Sequence, residues 1–185
     1  MIQDIAFALW FLLPAAVANV APILVAAMPG LRKLDAPIDG GRKFKGHRIF
    51  GSHKTWRGIV SGIILATCTL WLQQIVVEVW DGASFFTGDL DYSSLPLFLL
   101  GPAFAIGALG GDALESFMKR QRGIKSGGAW IPFDQLDYII GSILLTLPFV
   151  LLDFSHYVWI VIIWFFIHVL ASFIGYKMGL KKDPI

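Results

Sequence analysis

Gly111-Asp112-Ala113-Leu114-Glu115-Ser116-Phe117-Met118-Lys119-Arg120 ends one strongly apolar segment, and Ile131-Pro132-Phe133-Asp134-Gln135-Leu136-Asp137 begins the next. A link bearing Gly, Ser and Lys joins the two runs, so Asp112, Glu115, Asp134 and Asp137 lie close in sequence to Lys119, Arg120, Arg122 and Lys125. Charge at the ends of apolar segments is expensive in a bilayer and marks a functional site by default. The 185-residue chain as a whole is 56% hydrophobic and 15% charged, outside the averages for soluble domains. An all-α integral membrane protein is therefore expected, as a single membrane-embedded domain over 1–185.

Five stretches, 5–28, 57–80, 95–118, 135–152 and 156–178, are apolar enough to cross a hydrocarbon core, which takes roughly 20 helical residues. The first begins near Met1 without a basic leader region, which fits a retained helix better than a signal peptide. Asp153, Phe154 and Ser155 divide the last two, because one helix across both would overshoot a bilayer. Cys68, the sole cysteine, stands in an apolar run and suggests neither a disulfide nor a thiolate metal site.

Three regions hold all 15 Lys and Arg residues: 29–57, 119–133 and the C-terminal tail from Lys177. With five spans these fall on one side, while Asp4, Asp81, Asp89, Asp91 and Asp153 fall on the other. The positive-inside rule then gives an outside N-terminus and a cytoplasmic C-terminus. The chain is expected in the cell membrane as a multi-pass protein whose site faces the cytoplasm. Trp80, Phe85, Phe86 and Tyr92 are expected as interfacial belt aromatics on the outer side.

The long polar loop 29–56 alternates glycines with cations and ends in Phe50-Gly51-Ser52-His53-Lys54-Thr55-Trp56-Arg57-Gly58. Glycine lets backbone N–H groups approach an anion, and Lys and Arg neutralise it, so the loop suits bound phosphates. A polybasic segment attracted to anionic lipid is the plainer alternative. Pro14, Asn19 and Pro22 in the first segment are expected to mark a bend, or Asn19 to face a substrate. His168 reads as a hydrogen-bonded core histidine.

On a helix, Asp112, Glu115, Ser116 and Lys119 share one face, as do Asp134, Asp137 and Gly141. Several carboxylates suit Mg²⁺ or another hard divalent cation. The neighbouring cations would repel a bare ion, so the mixture makes more sense with a polyanion such as a nucleoside triphosphate between them. Structural ion pairing is the competing reading.

The order Ser116-x-x-Lys119-Arg120, Lys125, Pro132 and Asp134-x-x-Asp137 resembles the signature of CTP:phosphatidate cytidylyltransferases, the CDP-diacylglycerol synthases. Ser126 stands where that family has Asp, Gln135 where it has Arg, and no His-Gly-Gly precedes the Asp pair. With Gly41-Arg42-Lys43-Phe44-Lys45-Gly46-His47-Arg48 and the 51–58 stretch, the chain is more similar to the archaeal branch, the CDP-archaeol synthases.

That resemblance implies transfer of CMP from CTP to the phosphate of an unsaturated geranylgeranyl glycerol ether lipid, with Mg²⁺ as cofactor. CTP, the lipid phosphate and membrane lipids are the expected partners, with no nucleic acid. Asp112 and Asp134 are expected to hold metal, helped by Glu115 and Asp137, with Lys119 and Lys125 joining Asp112 and Asp134 in catalysis. Lys43, Lys45, His53, Lys54, Arg57 and Arg120 are expected at the phosphates, and Thr55, Ser116 and Gly127 at the nucleotide. A phosphatidate cytidylyltransferase or a CTP-dependent lipid kinase is the nearer alternative. A small cation transporter is the distant one, disfavoured because the carboxylates hug one face and no internal repeat is evident.

Overall fold

A computed structural model describes residues 1–26, 28, 34–124 and 128–179. The chain runs α1 (Ile2–Val25), a two-stranded hairpin of β1 (Lys43–Phe44) and β2 (His47–Arg48), α2 (Trp56–Val79), a short helix α3 (Ser84–Thr87), α4 (Leu97–Gln121), α5 (Phe133–Thr146) and α6 (Phe154–Lys177). Among the described residues, α1, α2, α4 and α6 are long and apolar enough to cross a membrane, at 24 or 25 residues each. That is about 36 Å of helix, against about 30 Å of hydrocarbon.

The fourth expected segment, 135–152, differs in form. Its helix α5 has 14 residues, about 21 Å, and 147–153 continue it as turn and irregular chain. Pro148 explains the stop, since it has no N–H to continue the helical hydrogen bonds and its ring crowds the preceding turn. Phe149 and Val150 N–H instead both donate to the Thr146 carbonyl, at 2.9 and 3.0 Å. Asp153 stands at the N-cap position of α6, so the break precedes the three residues that suggested it.

Helix packing is governed by small residues. Ala8, Ala15 and Ala18 of α1, Ala66 of α2, and Ala105 and Ala108 of α4 are fully buried, with Phe7, Phe11, Leu12, Leu70, Phe104 and Ile139 filling between them. Without a hydrophobic force between helices in lipid, close backbone approach and interhelical hydrogen bonds hold such a bundle. Gln73 Nε2 donates to the Trp10 carbonyl at 2.6 Å, Trp164 Nε1 to that of Ala8 at 2.8 Å, and Ser142 Oγ to that of Phe104 at 3.2 Å. Helix α1 passes unbroken through Pro14 and Pro22. Outward faces carry Ile64, Trp71, Phe98, Leu99, Phe166 and Leu170, all exposed, as a lipid-facing surface requires.

Glycine sets the contact between α4 and α5. A Cβ on Gly107 would lie 2.5 Å from the Gly141 carbonyl oxygen, one on Gly141 would meet the Gly107 carbonyl, and one on Gly111 would strike the Asp137 carbonyl. The two backbones thus touch directly where the acidic side chains begin. Of the expected belt aromatics, Trp80 and Phe85 are exposed, whereas Tyr92 is buried with its ring 6.5 Å from that of Trp10.

Candidate functional site

The 34–55 region is organised by a residue that its sea of cations conceals. One carboxylate oxygen of Asp39 accepts from Gly41 N–H at 2.9 Å and from Arg48 Nη2 at 3.0 Å. The other accepts from Phe50 and Gly51 N–H, both at 3.1 Å. Burial alone would raise the Asp39 pKa, but the guanidinium and the three N–H groups outweigh it and hold the carboxyl well below the usual range. The hairpin turns through Lys45 and Gly46, both at positive φ, as a tight two-residue turn demands. Its Phe44 ring lies 5.8 Å from that of Phe117, which docks the hairpin on the last turns of α4.

The loop returns to the bundle at Thr55, whose side chain accepts from Gly58 N–H at 3.2 Å and caps α2. Ile38 N–H donates to the Lys54 carbonyl at 2.9 Å, and Arg57 pairs with Asp35 at 3.0 Å. These contacts carry the Lys54 ammonium onto the Asp112 carboxylate.

One helical turn along α4, Glu115 faces the same way, and the close approach at Gly111 brings Asp137 of α5 alongside. Asp112, Glu115 and Asp137 each offer a carboxylate oxygen within 4.8 Å of the others. Glu115 is 8% exposed. Such an all-oxygen, multiply anionic donor set fits a hard divalent cation and offers nothing to a thiophilic one.

Asp134, expected as a ligand beside Asp112, stands outside that trio. Its Oδ2 accepts from Trp130 N–H at 3.0 Å, and its Oδ1 meets Lys119 Nζ at 2.7 Å. Lys119 is itself 7% exposed and reaches Glu115 at 2.9 Å. It therefore bridges Glu115 of the trio to Asp134 and balances the charge of both carboxylates.

Two clefts flank α4 at this level. A cavity of about 380 Å³ lies between α1, α2, α4 and the loop. Its walls are Pro22, Ile23, Ile59, Ile106 and Leu109, and its polar end carries His53, Lys54, Thr55 and Asp112, with Asn19 also lining it. A second, of about 230 Å³, lies between α4 and α5 and is almost wholly apolar: Leu114, Met118, Phe133, Leu136, Ile140 and Leu144 lead to Glu115 and Asp137. Each cleft joins a greasy wall to part of the carboxylate trio, Asp112 in the first and Glu115 and Asp137 in the second, an arrangement suited to a substrate with an apolar tail and an anionic head.

The other expected phosphate groups are spread more widely. Lys43, Lys45 and His53 are exposed, with Lys45 Nζ 5.6 Å from the Phe44 ring centroid. Arg120 Nη1 donates to the Ile124 carbonyl at 3.1 Å, and Ser116 is buried beside the trio on α4. Lys125 and Gly127 lie outside the described residues, as do Arg32, Lys33, Lys181 and Lys182. Sequence reading missed Asp39 and the stacking of Arg122 over Trp130 at 4.6 Å. The Asp39-Gly40-Gly41 run, with its turn-forming chemistry, is the signal that could have found the first.

The profile of the CarS-like CDP-archaeol synthase family matches residues 1–185. The chain is 35% identical over 184 residues to the CDP-archaeol synthase of Thermococcus onnurineus (strain NA1), covering 99% of this chain and 98% of that protein. It is 38% identical over 159 residues to the CDP-archaeol synthase of Methanosarcina barkeri (strain Fusaro / DSM 804), covering 80% and 89% respectively. It also resembles the solved structure of an intramembrane enzyme for archaeal membrane lipids biosynthesis, with a TM-score of 0.68 and 26% identity over 89% of this chain and 92% of that one.

Proposed function

The chain belongs to the CDP-archaeol synthase family, and from that premise we propose that it transfers CMP from CTP to the phosphate of 2,3-bis-O-geranylgeranylglycerol 1-phosphate. The products are CDP-archaeol and pyrophosphate, and the step belongs to membrane phospholipid biosynthesis. The observation that carries the reading is the meeting of three carboxylates and the Lys54 ammonium at the head of two apolar clefts.

The chemistry needs little from side chains beyond charge and placement. A lipid phosphomonoester, with a second pKa of about 6, is largely ionised at neutral pH and attacks the α-phosphorus without a general base. One P–O bond forms to the lipid phosphate oxygen as the bond to the β-phosphate bridging oxygen breaks, and pyrophosphate carries away the electron pair. Both reactants are anions, so catalysis comes from neutralisation and alignment. Lys54 supplies positive charge at the head of the larger cleft, with His53 and Thr55 beside it. Lys43, Lys45 and Arg57 extend that positive field over the loop side, and Lys119 keeps Glu115 and Asp134 in place.

Asp112, Glu115 and Asp137 are the residues that would hold Mg²⁺, with Asp134 behind them through Lys119. When bound, the ion would neutralise phosphate charge and orient phosphoryl oxygens. The apolar clefts would take the isoprenoid chains and exclude water from the head.

Five crossings with an outside N-terminus put this site at the cytoplasmic leaflet, where CTP is available. The charge pattern supports it: Asp81, Asp89, Asp91 and Asp153 sit at helix ends opposite those that carry the loop and Lys119, Arg120 and Arg122. Helix α5 with residues 147–153, together 21 residues, has the reach to complete the fifth crossing.

Incubation of the purified protein with CTP, Mg²⁺ and separate unsaturated ether, saturated ether and ester lipid phosphates tests the proposal. Product mass should show one CMP added to the unsaturated ether lipid. A single added phosphate would instead identify a lipid kinase.

A further inference from the structure

The backbone that carries Lys54 is pinned from both sides. Ile38 N–H donates to its carbonyl at 2.9 Å, Trp56 N–H donates to the Ala36 carbonyl at 3.1 Å, and Pro37 and Thr55 form an antiparallel bridge. What remains free to move is the side chain, a four-carbon stem ending in a compact, rotatable charge. Its ammonium sits on Asp112, inside the trio that has the donor chemistry for a divalent cation. It also lines the larger cleft, so a swing of the stem keeps it inside the same cavity.

Lys119 occupies a different position. It is buried and serves two carboxylates at once. Withdrawing it would leave Glu115 and Asp134 without their shared cation, which is strongly unfavourable. Lys54 serves one, and its side chain is 23% exposed with that of Asp112 at 28%. Of the two ammonium groups, Lys54 is the one that can change partners at small cost.

We propose that Lys54 makes cation binding conditional on nucleotide: without nucleotide its ammonium holds Asp112 and repels a free divalent cation, and with nucleotide it turns to a phosphate oxygen and releases Asp112. The proposal rests on the cytidylyl-transfer reading and adds an order of binding to it. Its physics is elementary. An ammonium and a divalent cation on the same carboxylate repel one another, and do so strongly away from bulk water. An ammonium is a donor only, and it is satisfied equally by a carboxylate or a phosphate oxygen. A triphosphate entering the cleft therefore offers Lys54 a new partner at the moment the cation needs the old one. The coupling must be reciprocal, so the cation tightens nucleotide by the same factor as nucleotide tightens the cation.

The test uses the full chain in detergent micelles, with Mn²⁺ as the probe ion. Electron paramagnetic resonance of free Mn²⁺ gives its affinity without nucleotide, and tryptophan fluorescence gives CTP affinity with and without Mn²⁺. In the unaltered protein Mn²⁺ should raise CTP affinity by about tenfold or more. Lys54→Met keeps the stem and removes the charge. It should bind free Mn²⁺ several-fold more tightly, roughly the loss of one repelling charge, and the factor by which Mn²⁺ raises its CTP affinity should be several-fold smaller than in the unaltered protein. Lys54→Arg should keep the weak free-Mn²⁺ binding.

The proposal is overturned if folded Lys54→Met binds free Mn²⁺ no more tightly than the unaltered protein. It is equally overturned if the unaltered protein binds CTP with the same affinity whether or not Mn²⁺ is present, a result that needs no variant to fold. In either case, formation of CMP-lipid by the unaltered protein leaves the cytidylyl-transfer reading standing. Absence of both CTP binding and CMP-lipid would remove that reading and this proposal together.

Discussion

Two residues distinguish the roles of the four acidic side chains. Asp137 belongs to the trio that faces one another within 4.8 Å, while Asp134 is held by Lys119 and the Trp130 N–H. Asp137→Asn and Asp112→Asn are expected to lower CMP transfer by about 100-fold or more while leaving a folded protein, and to weaken Mn²⁺ binding measured by electron paramagnetic resonance. Asp134→Asn should also lower turnover but leave Mn²⁺ affinity within a few-fold, because Glu115 still holds Lys119. Equal loss of Mn²⁺ affinity in all three variants would return Asp134 to the ligand set. Asp39 acts at a distance from this chemistry by fixing the loop that presents Lys54. Its depressed pKa means that its stabilisation is fully present above the unfolded carboxylate value of about 3.9 and is lost as pH falls through the lower folded value. Amide exchange at Phe50 and Gly51 should therefore stay slow from neutral pH down to about 4 after correction for the intrinsic exchange rate. Asp39→Asn should speed it at neutral pH, by the loss of roughly 1.5–3 kcal/mol of charge-assisted hydrogen bonding.

The pair α4 and α5 shows how backbone contact places the acidic side chains. Gly111 and its neighbour Gly110 look alike in sequence, but a Cβ at 111 would strike the Asp137 carbonyl, whereas one at 110 meets nothing within 4 Å. Gly111→Ala should push the helices apart, lower the melting temperature in detergent through about 1–3 kcal/mol of overpacking, and separate Asp137 from Asp112. Gly110→Ala should leave stability unchanged or raise it by up to about 1 kcal/mol, since Gly is unfavourable inside a helix. A fall in melting temperature for Gly110→Ala equal to that for Gly111→Ala would mean that the contact at 111 is not what holds α4 to α5. Such a distinction could not be read from the chain. Spacing put Asp112 and Glu115 on one face and Asp134 and Asp137 on another, but either face of α5 could have been turned toward α4. The glycine contacts select the one bearing Asp137.

For the whole molecule, the segregation of charge predicts which ends share a compartment. Ser52 lies in the basic loop and Ser93 in the segment between α3 and α4. With Cys68 replaced by alanine, Ser93→Cys should react with a membrane-impermeant maleimide applied to intact cells, and Ser52→Cys only after the membrane is opened. Reaction of both from outside would refute the orientation.

The sequence by itself determined that the chain is helical and membrane-embedded, near which residues its long helices fall, and which two runs resemble those of cytidylyltransferases. Hydrophobic length and charge are local properties, legible residue by residue. It also placed a break at Asp153, Phe154 and Ser155, whereas the helix stops earlier, at Pro148 and the backbone turns after Thr146. Tertiary structure alone decided that Asp137 comes within 4.8 Å of Asp112 and Glu115 while Asp134 pairs with Lys119, that Asp39 knots the loop, and that Lys54 reaches Asp112 across 58 positions of chain. Those are contacts between distant segments, set by how closely two backbones can approach and where a loop is pinned, and no periodicity along the chain records them.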